Sequence, residues 1–140
     1  RNVYIDAIQE TGPLFYTDQQ IDAWSSLAFL PGVLDESLAK GKGLVSFEGQ
    51  EIAAFAVRYP LNRLALLYCR ASFSRKGHAT TLLNHIEFKA LEEGEKNLYT
   101  EASIFSYPLL LKRGWNVLRA EFIKIGGVRF KRYRMYKELG

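Results

Sequence analysis

Cysteine and histidine are scarce in this sequence, and their scarcity argues against several classes of protein. The single cysteine, Cys69, has no partner for a disulfide within the chain, which favours a reducing compartment. One cysteine and two histidines are too few for the ligand spacings of a zinc site. No apolar run approaches the roughly 20 residues needed to cross a membrane, and no signal peptide is visible. We therefore expect a cytoplasmic protein without a metal site.

The remaining composition is typical of one folded domain, predicted over residues 1–140, with 48% hydrophobic and 24% charged residues. Its formal net charge is +4, and the excess is concentrated near the end of the chain. The segment 124–137 carries six Lys or Arg and no acid. This basic run is compatible with a solvated strand face, with binding of coenzyme phosphates or with nucleic acid.

Hydrophobic periodicity and turn residues predict an α/β domain with a mixed sheet, in the order α-α-β-β-β-α-β-α-β-β. The second helix begins at Thr17, which forms a predicted capping box with Gln20. A further short helix is compatible with residues 33–40. Helices are otherwise predicted over 1–11, from Ala79 to a break at 92–94, and over 105–113. Strands are predicted over 44–47, 52–59, 64–70, 98–103, 115–125 and 128–136.

The junction after the third strand is the segment with the clearest chemistry. An apolar strand runs into a loop containing Gly77, and a long helix begins immediately afterwards. The first N–H groups of a helix have no intrahelical acceptor, and the helix dipole favours an anion there. Arg75 and Lys76 add positive charge. Because neither a Walker loop nor a three-glycine Rossmann fingerprint is present, the loop alone fits either an anion site or a plain tight turn.

The wider pattern around this junction resembles the GNAT superfamily of N-acetyltransferases. The motif Ser74-x-x-Gly77-x-Ala79, followed by a Leu-Leu pair, is similar to the family's coenzyme loop. The resemblance is closest to a small bacterial subgroup with no settled substrate, and it covers roughly residues 15–139. Further segments that carry it are 16–24, 99–103, 108–115 and 127–137.

The resemblance implies a GNAT fold, with a mixed, mostly antiparallel central sheet, a splayed pair of strands and flanking helices. The family's first strand is not evident before Val3, so we expect it to have been trimmed. The implied reaction is transfer of acetyl from acetyl-CoA to an amine, carried by a small molecule or a peptide, in a ternary complex.

Cofactor contacts follow from the resemblance position by position. The strand 68–70, with Arg70, would pair with the pantetheine arm, and the Cys69 amide would face the thioester carbonyl as an oxyanion donor. Ser103 stands where the family often has an Asn that contacts the cofactor. The pyrophosphate would be held by backbone N–H groups of Arg75, Lys76, Gly77, His78, Ala79 and Thr80.

The catalytic residues are harder to assign, because two positions depart from the family pattern. Ser74 replaces the usual Gln or Arg of the loop, and Leu110 stands where many members have the Tyr that protonates the CoA thiolate. We expect Glu101 to act as general base, with a paired surface carboxylate as the alternative. Tyr68 is the expected proton donor. Tyr107 is a second candidate, and packing is the alternative role for both tyrosines.

Several side chains carry two interpretations that the sequence leaves open. His78 either contacts a phosphate or faces solvent, and His85 is expected at the surface. Cys69 is expected to be an inert strand thiol rather than a nucleophile. Four aromatic residues either shape the acceptor pocket or belong to the core: Trp24, Phe29, Phe55 and Tyr59.

Three functions remain in competition: an active acetyltransferase, a degenerate acyl-CoA-binding module and, less favoured, an RNA-binding domain that uses the basic run. The degenerate module is suggested by Ser74 and Leu110. The RNA-binding domain lacks an RRM signature and a KH loop. A homodimer is compatible with the exposed edge of the last hairpin.

Overall fold

The computed structural model describes residues 1–14, 16–26 and 35–140. None of the helices within these segments is long and apolar enough to cross a membrane. The helices are α1 (Asn2–Asp6), α2 (Asp18–Ser26), α3 (Asp35–Lys40), α4 (His78–Glu92) and α5 (Tyr107–Lys112), with a π-helical turn over Ala7–Thr11 and 3-10 turns over Gly12–Leu14 and Ala71–Phe73. The strands are β1 (Lys42–Glu48), β2 (Glu51–Arg58), β3 (Leu64–Cys69), β4 (Asn97–Ala102), β5 (Asn116–Ile125) and β6 (Val128–Glu138).

The predicted order of elements is confirmed, with α3 added before the first strand. The predicted start of that short helix, Val33, lies outside the described residues. The capping box at α2 is also confirmed. The Gln20 N–H donates to the Thr17 hydroxyl at 3.2 Å, and the Thr17 N–H donates to the Gln20 side-chain oxygen at 3.0 Å. Two orphan donors at the helix start are thereby satisfied.

Two three-stranded antiparallel sheets make up the centre of the molecule, in the orders β1-β2-β3 and β4-β6-β5. They meet where β3 and β4 begin, through a parallel bridge between Arg63 and Tyr99. The Thr100 hydroxyl donates to the Leu64 carbonyl at 2.7 Å at the same place. Beyond this point no ladder joins the two strands in the described chain, so they splay apart toward Cys69 and Ala102.

A register shift in β3 determines which way its backbone faces. Val57 lies opposite Leu66, whereas Arg58 lies opposite Leu64, so Ala65 is the extra residue of a bulge. A bulge reverses which of the following amides face the neighbouring strand. The bulge therefore determines the direction of the Cys69 N–H.

Two apolar cores lie on opposite sides of the sheets. One packs α4 against β2, β4 and β6, and its members include Ala54, Leu83, Ile86, Leu98 and Met135. The other packs α1 and α2 against β3 and β6, and its members include Tyr4, Ile8, Trp24, Leu66 and Phe130. The third strand is apolar along nearly its whole length. It is buried only at Leu64 and Leu66, because its far end borders open clefts.

Candidate active site

The segment 74–80, called the glycine loop, joins the turn after β3 to α4. Gly77 is the N-cap residue of α4 and has φ +85°, in the left-handed region that favours glycine. A Cβ at Gly77 would meet no atom within 4 Å, so the space above the loop is open. No side chain caps the helix, and its first intrahelical bond runs from the Thr81 N–H to the Gly77 carbonyl at 2.9 Å. The N–H groups of His78, Ala79 and Thr80 therefore remain available to an anion.

Positive charge surrounds this helix start. Arg75 and Lys76 are both exposed, and Arg75 itself has φ +62°. No acidic residue lies in the first turn of α4. The Lys76 ammonium lies 3.6 Å from Glu48 and 5.5 Å from the centre of the Phe73 ring. The loop thus combines unpaired N–H donors, the helix dipole and two cations, as a phosphate site requires.

The His78 side chain does not face solvent, contrary to one of the two interpretations given above. Its side chain is only 10% exposed and turns toward β1. Nδ1 lies 2.6 Å from the Ser46 hydroxyl, and Nε2 lies 2.5 Å from Oε2 of Glu48. The hydrogen bond to His78 is the largest of the causes that lower the pKa of the Glu48 carboxyl. The ring thereby anchors the glycine loop to the first hairpin, and only its backbone N–H faces the open side.

The gap between β3 and β4 forms a cavity of about 200 Å³, called the splay cleft. Its walls come from the π-helical turn after α1, the end of β3, the glycine loop and the start of α5. The lining residues are Ala7, Thr11, Leu67, Tyr68, Cys69, Ser74, Ala79, Phe105, Ser106 and Leu109.

The Cys69 amide points into this gap. The Arg70 N–H donates to the Ala53 carbonyl at 2.8 Å, so Arg70 and Ala53 form a hydrogen-bonded pair. Hydrogen-bonded and non-hydrogen-bonded pairs alternate along antiparallel strands, and Cys69 opposite Ala54 is the next pair. Its N–H therefore points away from β2, toward the splay cleft. The thiol itself is half-buried, and burial, followed by the charge of Asp6, raises its pKa.

A second cavity of about 320 Å³, called the aromatic cavity, shares Leu67, Tyr68 and Ser106 with the splay cleft. Tyr4, Tyr16 and Trp24 contribute its aromatic wall. Its polar lining comes from α3, β4 and β6, and from the turns beside β3 and β4. The polar and charged members are Ser37, Arg63, Thr100, Glu101, Ser103, Ser106, Lys131 and Arg132.

Tyr68 forms the wall between the two cavities and lines both of them. Its ring makes an edge contact with Tyr4 at 4.8 Å and stacks on Phe55 at 5.7 Å between centroids. Burial raises the pKa of the Tyr68 phenol well above its usual value, against a smaller opposing effect of a hydrogen bond with Trp24. The phenol therefore stays protonated at neutral pH, so it can donate a hydrogen bond or a proton but cannot act as a base.

Glu101 lies in the aromatic cavity, with 19% of its side chain exposed. Arg63 Nε donates to its Oε2 at 2.9 Å, and Arg134 Nη1 lies 3.7 Å from its Oε1. Within the described lining, Glu101 is the one carboxylate. Both of its oxygens thus lie beside guanidinium groups.

The sequence matches a family model described as an acetyltransferase (GNAT) domain over residues 15–137. The chain belongs to the GNAT acetyltransferase family. The E. coli K12 protein YafP, an uncharacterized N-acetyltransferase, is 26% identical over 133 residues, which are 95% of this chain and 83% of that protein.

The fold is shared with solved GNAT structures. A GCN5-related N-acetyltransferase from Rhodopseudomonas palustris superposes with a TM-score of 0.92 at 22% identity, over 99% of this chain and 86% of that one. PaiA N-acetyltransferase from Thermoplasma acidophilum, solved with coenzyme A, gives a TM-score of 0.70 at 17% identity, over 98% and 89% of the two chains. The predicted GNAT fold, the acetyltransferase activity and acetyl-CoA as co-substrate are thereby confirmed.

Two residues predicted to contact the GNAT cofactor lie elsewhere. Arg70 does not line the splay cleft; its N–H is bonded to β2, and its side chain donates to the Ile52 carbonyl at 3.1 Å. Ser103 lines the aromatic cavity rather than the cleft, and its hydroxyl accepts the Phe105 N–H at 3.2 Å. The residue of this segment that lines both cavities is Ser106, which was not predicted from the sequence.

The position of the usual GNAT tyrosine lies in the core. Leu110 is fully buried and lines neither cavity. The α5 side chain that does line the splay cleft is Leu109. Tyr107 stacks on Tyr133 with 4.1 Å between ring centroids and also lines neither cavity, consistent with a packing role.

The aromatic residues proposed for the acceptor pocket divide into different roles. Trp24 lines the aromatic cavity. Phe55 only supports Tyr68, and the Tyr59 hydroxyl donates to Glu36 at 2.8 Å away from the cavity. Phe29 lies outside the described residues. His85 is exposed on α4, as expected.

Proposed function

We propose that this GNAT protein transfers acetyl from acetyl-CoA to an amine directly, within a ternary complex. The observation that carries the proposal is the pair of cavities that meet at Tyr68 and Ser106. One cavity opens toward the glycine loop and the other does not, so two substrates can approach one point from opposite sides.

The coenzyme is proposed to occupy the glycine loop and the splay cleft. The open backbone N–H groups at the start of α4 suit a pyrophosphate, and Arg75 and Lys76 supply counter-charge. An extended pantetheine arm fits between the splayed strands. The inward-facing Cys69 amide then suits the thioester carbonyl.

The chemical step is a nucleophilic addition followed by elimination. The lone pair of a neutral amine attacks the thioester carbon, and the carbonyl oxygen becomes an oxyanion that accepts the Cys69 N–H. Glu101 takes a proton from the nitrogen, directly or through water. When the carbon–sulfur bond breaks, the CoA thiolate takes a proton from Tyr68, and the proton held by Glu101 then returns to the Tyr68 phenolate through solvent. The products are the amide and CoA.

Initial-velocity kinetics test this mechanism. Direct transfer predicts intersecting double-reciprocal lines when acetyl-CoA and an amine are varied, measured by release of free CoA. Parallel lines would indicate a covalent acetyl-enzyme and contradict the proposal. If acetyl-CoA binds by calorimetry but no amine in a broad panel is acetylated, the degenerate binding module replaces the enzyme.

A further inference from the structure

The charge of the aromatic cavity points to the class of acceptor. We infer that the acceptor amine carries a carboxylate in the same molecule, as amino acids do. This inference rests on the proposed function, because it assigns the aromatic cavity to the acceptor.

The cavity lining is positively charged. Arg63, Lys131 and Arg132 line it, against Glu101 as the one carboxylate in the described lining. The Lys131 ammonium has no carboxylate within ion-pair distance among the described residues, and it lies 5.4 Å from the centre of the Tyr133 ring. Tyr133 does not line the cavity, so the uncompensated Lys131 charge lies on the adjacent strand face, and the charge within the cavity rests on its guanidinium groups.

The ion pairs beneath the cavity also leave an excess of positive charge. Glu121 accepts from Arg132 at 2.6 Å and from Arg134 at 3.0 Å, and Arg119 lies 3.8 Å away. Glu101 is shared by Arg63 and Arg134. Four guanidinium groups thus face two carboxylates, so two positive charges remain uncompensated. The side chains of Arg63 and Arg132 are 37% and 27% exposed, which leaves their donors within reach of a ligand.

This charge distribution distinguishes between acceptor classes. Polyamines and aminoglycosides carry several positive charges and would be repelled by the lining. A carboxylate would instead meet guanidinium groups that bind it with paired hydrogen bonds. The same positive field disfavours an ammonium ion beside it, and the deprotonated amine is the form that attacks a thioester.

The size of the cavity favours a small acceptor. Its volume of about 320 Å³ lies near the lower end of the roughly 300–1,000 Å³ found for small-molecule sites. The aromatic wall of Tyr4, Tyr16 and Trp24 suits an apolar side chain. A small amino acid with an apolar or aromatic side chain therefore matches the positive charge, the volume and the aromatic wall of the cavity.

The test compares amino acids with their carboxamides, which are equal in size and lack the charge. CoA release is measured at equal concentrations of neutral amine, so that basicity does not bias the comparison. We expect kcat/KM to be at least about 10-fold higher for the acids. Equal or higher values for the amides, or for polyamines, would overturn the inference.

Substitutions test which residues cause the preference for acids over amides. Arg132→Gln and Arg63→Gln should each raise KM for the acids by a larger factor than KM for the amides. Arg129→Gln is the matched control, because that side chain stacks on Phe122 at 3.8 Å and does not line the cavity. Loss of acid preference in the control but not in the cavity variants would contradict the assignment.

A binding measurement distinguishes failure of the proposed function from failure of this inference. If no transfer occurs, calorimetry on the CoA complex still measures whether the acid binds more tightly than its amide. A preference there supports the inference without turnover. A competition experiment with RNA tests the alternative. If a short RNA binds the hairpin between β5 and β6, leaves CoA bound and prevents amino acids from binding, the positive charge serves nucleic acid and the inference is wrong.

Discussion

The glycine loop and the aromatic cavity lie on either side of Tyr68, and they are built in different ways. The loop is one continuous segment, and its binding groups are backbone N–H donors that any residue except proline supplies. The cavity is lined by side chains from α1, α2, β3, β4, β5 and β6, which are far apart in the chain. A backbone site therefore tolerates departures in side chains, whereas a side-chain site changes specificity with each substitution.

This difference predicts that Ser74 leaves coenzyme binding at the loop intact. The Ser74 hydroxyl donates to the Ala71 carbonyl at 2.8 Å and closes the turn before the loop. The donors at the start of α4 do not depend on that side chain. By contrast, replacing Arg132 or Glu101 would alter the charge of the acceptor cavity directly.

The largest expected effect comes from placing a side chain and a negative charge on the loop. Gly77→Glu should weaken acetyl-CoA binding by on the order of 100-fold, because the carboxylate would occupy the open space above the N–H donors. Calorimetry measures the loss. Gly127→Glu is the control, since its φ of +80° and open surroundings reproduce the strain in the hairpin between β5 and β6. An equal loss in both variants would show that backbone strain, not the phosphate site, is responsible.

The same contrast determines what could be predicted from the sequence. The glycine loop, the strand before it and the helix after it were predicted because their signal is local: Gly77 after an apolar strand and before a helical repeat. The role of the Cys69 amide stays a prediction, and the bulge at Ala65 that sets the direction of this amide has no sequence signal.

The acceptor side was predicted only in part, because its contacts join distant segments. The pairing of Glu101 with Arg63 and Arg134 depends on strand register across two sheets. Ser106 was missed because the turn before α5 determines which of its serines reaches the clefts. The basic run 124–137 was read as one surface, yet its strand alternation sends Arg132 and Arg134 toward Glu121 and Lys137 toward Glu87.

Tyr68 lies in both regions, and its removal should affect catalysis without affecting coenzyme binding. Tyr68→Phe keeps the ring that packs on Tyr4 and Phe55, so the fold and the acetyl-CoA Kd should be retained. The expected fall in kcat is about 10- to 100-fold if the phenol donates to the thiolate. Ser106→Ala is the comparison, because Ser106 also lines both cavities. An unchanged kcat in Tyr68→Phe with a fall in Ser106→Ala would move the donor to Ser106.

Glu101→Gln should have a smaller effect, confined to the acceptor side. Because both oxygens are already engaged by guanidinium groups, we expect kcat to fall by only about 10-fold, less than the roughly 100- to 10,000-fold typical of general-base catalysis. Rates measured over a range of pH test this role. If Glu101 is the base, the rate of the variant should depend on pH only through the fraction of the amine that is neutral. A change in acceptor KM alone would instead assign Glu101 to binding. Glu121→Gln provides the control for charge within the same ion-pair network.

The smallest effect tests whether the His78 anchor holds the glycine loop in place. Glu48→Gln should weaken acetyl-CoA binding about two- to fivefold, because an exposed ion pair contributes little. Glu48 has a lowered pKa, so its pairing stabilises the fold above pH 4.5 and is lost as the pH falls below that value. The difference in Tm between wild type and Glu48→Gln should therefore be present at pH 7 and shrink below pH 4.5. Glu51→Gln, on the same hairpin, should leave both the Kd and this pH dependence unchanged. If Glu51→Gln changes the Kd and the pH dependence as Glu48→Gln does, the charge of the hairpin in general explains the effect, and the anchor through His78 does not.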